Sequence, residues 1–306
     1  MNRFPVLKEE ERLRMLAPPT GVISMVLDTD TFNEIDDQFA VVYTILSKDR
    51  LDLKAMYAAP FYNSLSSGPK DGMEKSYDEI HRILRRMNVS TDGFVFKGSD
   101  RFMEEANTPI ESAAARDIVA KAKAASPDKP LYVVAIGAIT NVASALLIEP
   151  EIIRNIVIVW LGGHHLHWKH TKEFNLVQDV LAARVLLDSG VPFIMVPCHG
   201  VASHLITTLP EINHYVRDKG EIGQFLAERY ESCAKDHYGY SRVIWDISVI
   251  AWLLMPESVP TEIVHSPVLT DQVTWSTDQS RHFIRVASSI DRNAVFKDLF
   301  YKLELM

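Results

Sequence analysis

The chain has 306 residues, 47% of them hydrophobic and 24% charged. That globular balance excludes disorder along its whole length. A formal charge of -8 makes its surface repel phosphate backbones and anionic lipid, which argues against general nucleic-acid binding.

Two cysteines, Cys198 and Cys233, are too few for a disulfide framework or a four-thiolate zinc site, and they read as reduced structural thiols. Met1-Asn2-Arg3-Phe4-Pro5 leads into the charged run Lys8-Glu9-Glu10-Glu11-Arg12. No apolar signal core follows, so a cytoplasmic protein is expected. The longest uncharged stretch, 131–148, contains Gly137, Thr140, Asn141 and Ser144. Its pattern changes from an apolar run to a helical spacing, so it reads as strand, turn and helix and not as a membrane span.

Strands are expected at 22–27, 51–58, 131–136, 156–161 and 191–196, as short apolar runs of the kind buried on both faces. Helical spacing is read at 35–46, 71–87, 111–125, 140–148, 179–187, 222–235 and 246–255, and again from Arg292. Period-two segments lie around 273–275 and 282–286. Strands alternating with helices predict a single α/β domain over 1–306, with a mostly parallel central sheet, helices on both faces and a Rossmann-like core.

The segment Asp28-Thr29-Asp30-Thr31-Phe32-Asn33-Glu34-Ile35-Asp36-Asp37 follows the first strand and runs into a helix. Parallel α/β sheets bind ligands at the carboxyl ends of their strands. Two unit charges 4 Å apart cost about 4 kcal/mol at an effective dielectric near 20, so this many acids in ten residues predict a cation. The ligands are hard oxygens, with no His or Cys among them, which favours Ca²⁺ or Mg²⁺ over zinc. Helix capping explains one or two of the acids but not the set.

Two enzyme readings compete for these residues. Val26-Leu27-Asp28-Thr29-Asp30-Thr31 is similar to the signature of haloacid-dehalogenase-type phosphohydrolases, which implies Asp28 as nucleophile, Asp30 as acid/base and Mg²⁺. That reading needs a later acidic pair, which Gly98-Ser99-Asp100 imitates poorly, and it leaves Asp36-Asp37 unused. The second reading uses all the acids. The segment resembles the opening Asp-x-Asp…Asp-Asp motif of the nucleoside hydrolase family, with two extra residues between Asp30 and Asp36. Ile136-Gly137-Ala138-Ile139-Thr140-Asn141 resembles the family's Gly-Pro-Leu-Thr-Asn turn, and Gly162-Gly163 with Glu173-Phe174-Asn175 resembles its Gly-Gly turn and Glu-Phe-Asn signature. Trp245-Asp246 resembles the site of its last metal ligand, and Asn63 an Asn beside its catalytic Asp. The resemblance spans roughly residues 22–256.

It implies Ca²⁺ held by Asp30, Asp37, Asp246 and the Thr140 carbonyl, with Asp30 as general base. It implies ribose contacts from Asp36, Asn63, Glu173 and Asn175, with His167 at the position of a further ribose-holding Asn. Thr140 also fits an ordinary helix N-cap. Trp245 stands where the purine-preferring branch stacks the base. Asp28 is expected to hydrogen-bond the loop from behind. The run His164, His165, His167, His170 matches no standard zinc spacing. Proton donors to the leaving base are sought in the 236–242 loop, at His237, Tyr240 or Arg242, while His199 and His204 read as structural. The implied activity is hydrolysis of the N-glycosidic bond of ribonucleosides to ribose and base, by a homodimer or homotetramer. A non-catalytic, metal-dependent nucleoside-binding protein is the remaining reading.

Overall fold

A computed structural model describes residues 4–306. The apolar runs form the middle of an eight-stranded sheet. In chain order its first six strands are β1 (Ile23–Thr29), β2 (Leu51–Ala58), β3 (Val95–Lys97), β4 (Leu131–Ala135), β5 (Ile156–Leu161) and β6 (Phe193–Val196). Their spatial order is β3-β2-β1-β4-β5-β6, every pair parallel. The strand Phe283–Ala287 adds parallel to β6, and Thr261–His265 closes that edge antiparallel. The chain order reverses between β1 and β4, which opens a crevice at the carboxyl ends of those two strands.

Alternate side chains of each strand enter different cores, as the period of two requires. Met25, Leu27, Val134 and Val159 pack in one core cluster, with Phe39, Ile80 and Trp252. Val26, Val133, Ile158 and Trp160 pack in the other, with Ile118, Leu146 and Phe193. Both faces are covered, and the strands are apolar throughout for that reason.

Helical spacing located the covering helices within a few residues: Asp36–Leu46, Pro69–Arg86, Ala113–Ala124, Thr140–Ile148, Val180–Ser189, Gly220–Glu231, Ile247–Leu254 and Arg292–Glu304. The charged run near the amino end is a helix, Glu9–Met15, with Glu9, Glu10 and Glu11 in its first turn, where acids suit the dipole. The period-two residues at 273–275 do not join the main sheet. Trp275–Ser276 pairs with Val268–Leu269 in a separate two-stranded ribbon. Among the described residues no helix is long and apolar enough to cross a membrane.

Candidate active site

The sheet brings four loops together at its carboxyl edge. Asp30 immediately follows β1, Ile136 follows β4, His164 lies three residues past β5, and Cys198 and His199 lie just past β6. Asp36 and Asp37 open the helix Asp36–Leu46, and Asp246 precedes Ile247–Leu254. These two helices pack on each other, so their amino ends meet at the β1 loop. Of the residues expected in the site, Asp30, Asp36, Asp37, Glu173, Asn175, Trp245 and Asp246 line one cavity of about 270 Å³, and Asn63, His167, Thr140 and Asp28 do not.

At its floor the four acids are almost wholly buried. One carboxylate oxygen each from Asp36, Asp37 and Asp246 lies within 4.8 Å of the others. Both oxygens of Asp30 and Oδ1 of Asp36 have no hydrogen-bond partner among the described residues. Burial pushes the Asp36 carboxyl up to about 7, helped by the nearby Glu34 charge. Burial and mutual repulsion raise Asp30, Asp37 and Asp246 well above the usual carboxylate range. Thr29 Oγ1 donates to Asp37 Oδ1 at 2.6 Å and fixes that side chain. Asp30 leans on Gly137, where a Cβ would come within 2.9 Å of its Oδ1; the glycine is the space the carboxylate occupies. Orphaned, mutually repelling oxygens in a dry pit suit a hard divalent cation, which would remove the repulsion.

Glu173 and Asn175 form one wall. Glu173 caps the short helix Phe174–Gln178, accepting from the amides of Asn175 and Leu176, and from that of Gly163 at 2.8 Å. Asn175 Nδ2 donates to the carbonyls of Ile136 and Leu161, which fixes its amide and leaves Oδ1 as acceptor. The opposite wall is aromatic. Trp245 meets His199 edge-on, and His199 lies 4.4 Å from His164 between ring centroids.

Several expectations are corrected. His167 is exposed and does not reach the cavity; His164, just after the Gly-Gly turn, lines it instead. Asn63 stands behind the wall and donates to Asn33 Oδ1 at 2.6 Å, so Asn33 is the amide in the cavity. Thr140 is not the helix N-cap, a position that falls on Ile139. Its hydroxyl instead donates to Asp179. None of the 236–242 donors lines the cavity. His237 bonds the Glu231 carbonyl, Tyr240 packs on Tyr230 and His237, and Arg242 pairs with Glu34 at 2.7 Å. The phosphohydrolase reading fails on Asp28. It is fully buried, accepts from Asn141 Nδ2 at 2.8 Å and does not line the cavity, so no substrate reaches it as a nucleophile. Among the described residues the histidines form no three-ligand metal group.

The model of the inosine-uridine preferring nucleoside hydrolase family matches residues 25–297. The chain belongs to that family. As a nucleoside hydrolase it is an enzyme acting on N-glycosyl bonds. It is 31% identical to the pyrimidine-specific ribonucleoside hydrolase RihA of Citrobacter koseri over 247 residues, which cover 74% of this chain and 78% of the relative. The solved inosine-guanosine nucleoside hydrolase shares its fold, with a TM-score of 0.73, 18% identity, and coverage of 92% of this chain and 98% of the other. The purine-preferring ribonucleoside hydrolase of Gardnerella vaginalis does so with a TM-score of 0.71, 22% identity and the same coverage.

Asn33, Glu34, His164, Lys172 and His199 of this hydrolase line the cavity and were missed as site residues. Their signal was position. Each sits in a loop beyond the carboxyl end of a strand.

Proposed function

We propose that the chain hydrolyses the N-glycosidic bond of ribonucleosides, releasing ribose and free base, with Ca²⁺ held by Asp30, Asp37 and Asp246 and, by family resemblance, the Thr140 carbonyl. The observation that carries this reading is the convergence of Asp30, Asp36, Asp37 and Asp246 in one cavity with Asn175 and Trp245. Only hard oxygens are offered at the floor, and their orphaned lone pairs fit the ion. When bound, the cation would supply charge neutralisation and Lewis acidity.

The residues do the rest. Asp30 takes the proton of the attacking water. Asp36 and Asn175 orient the ribose hydroxyls, with Glu173 holding the loop that carries Asn175. Asn63 acts through Asn33. Positioning of this kind supplies several kcal/mol of an oxocarbenium-like barrier. Trp245 in the wall supports stacking on a purine, so purine ribonucleosides are the proposed better substrates. A pyrimidine preference, as the name of the Citrobacter koseri relative has it, is the other outcome. A homodimer or homotetramer in the cytoplasm completes the proposal.

The test is ribose release from a panel of purine and pyrimidine ribonucleosides, with wild type beside Asp30→Asn. Release by the wild type and a loss of roughly 10²- to 10⁴-fold in the variant support the reading. Binding of nucleosides without release would assign a binding protein instead.

A further inference from the structure

Breaking a C1′–N bond leaves its electron pair on the base nitrogen, and a proton delivered there spares the base a full negative charge. No residue of the 236–242 loop lines the cavity. We propose that His199 protonates the leaving base, held in place by His164, Trp168 and Trp245; this rests on the nucleoside hydrolase reading of the same cavity.

His199 lines the cavity and its side is open to solvent. Its main chain is pinned twice. The His199 amide donates to His164 Nδ1 at 3.4 Å, and its carbonyl accepts from the His165 amide at 3.1 Å. Its ring is held on three sides: parallel to Trp168 within 10° at 5.7 Å, at 88° to Trp245 at 5.7 Å, and 4.4 Å from His164. The chain then turns away at Gly200, whose φ of +97° suits no L side chain and where a Cβ would lie 3.0 Å from the His165 Cβ. A base laid on Trp245 would therefore have the imidazole plane nearly at right angles to its own. His164 is buried and held down to about 4, by burial first and then by His199 and His170. It stays neutral at neutral pH, so it supports the neighbouring ring without adding a second positive charge beside it. Imidazole is the side chain suited to moving protons in that range.

The step balances. The C1′–N bond breaks with its pair going to the base. The N–H bond of the His199 imidazolium breaks, and its proton forms the new N–H on the base. A water oxygen bonds C1′ while its proton passes to Asp30, and exchange with solvent restores both groups. The sum is nucleoside plus water giving ribose plus base.

Two substrates separate proton delivery from a merely structural role. A ribonucleoside needs its leaving group protonated, whereas 4-nitrophenyl β-D-ribofuranoside expels a stable phenolate. His199→Ala is expected to lower kcat on ribonucleosides by roughly 10²-fold or more, and by less than about fivefold on the nitrophenyl riboside. His199→Phe keeps the stack on Trp168 without the proton and is expected to behave like the alanine variant. Equal losses on both substrates, no loss on either, or recovery of nucleoside turnover in His199→Phe would each overturn the proposal. A wild type that cleaves neither substrate would overturn the hydrolase reading itself.

Discussion

Removing the cation should leave a protein whose stability depends on pH through the acidic pit. Asp36 is buried, and its carboxyl rises from 3.8 to about 7. Between those values the folded chain holds a proton that the unfolded chain has lost. Stability therefore declines as pH rises through that window and levels off above it. The full gap corresponds to about 4 kcal/mol from Asp36 alone. Roughly a third of it is already felt at pH 5, which leaves about 3 kcal/mol between pH 5 and pH 8. A bound cation interacts with the ionised carboxylate and offsets that cost. The stability difference between Ca²⁺-saturated and chelated protein should thus widen by about 3 kcal/mol or more from pH 5 to pH 8, roughly 6 °C in Tm for a chain this size. His164 and His282 lose stability in the opposite direction, as pH falls below 6.5, because burial holds them down to about 4 and about 3. Both are largely deprotonated in the folded chain from pH 5 upward, with or without the cation, so the difference between the two forms removes them. Urea melts followed by tryptophan fluorescence give the number, and Asp36→Asn should reduce the widening, leaving the share of Asp30, Asp37 and Asp246. A difference that is constant or shrinks with rising pH would refute the reasoning.

Three substitutions probe the supports of the site. Gly137→Ala places a methyl 2.9 Å from Asp30 Oδ1, so kcat should fall by roughly tenfold or more through displacement of the base, with circular dichroism unchanged. Asn141→Ala removes the donor to Asp28 and the acceptor for both the amide and the hydroxyl of Ser99; urea melts should show a loss of about 1–3 kcal/mol. Trp245→Ala should raise KM for nucleosides more than it lowers kcat on the nitrophenyl riboside, and the steady-state constants read that split directly.

Much of the fold was legible because both faces of the sheet are covered. A strand such as β5, Ile156–Leu161, is apolar at every position and stands out between polar loops. The edge strands carried no such mark. Val95–Lys97 is three residues long, and Thr261–His265 exposes Glu262 and Ile263. The acids of the floor were legible for a local reason: Asp30, Asp36 and Asp37 sit within eight residues, at a strand end running into a helix. The aromatic wall was not. His199 and His164 come from loops 35 residues apart and meet only because β5 and β6 are neighbours. His167 misled because the turn after Gly163 swings it outward, with its amide against His165 Nδ1. Arg242 misled because its partner Glu34 lies in the opening loop, 208 residues away.

The central claim is that the acidic pit beyond β1 must hold a divalent cation for N-glycosidic hydrolysis. It is tested most directly by titrating chelated protein with Ca²⁺ while following ribose release from a ribonucleoside, with elemental analysis of bound metal. The account predicts no release from the chelated protein and a rise in rate that saturates at about one ion per chain. Full activity in protein shown to be free of metal, or metal binding that survives intact in an Asp37→Asn/Asp246→Asn double variant, would contradict it.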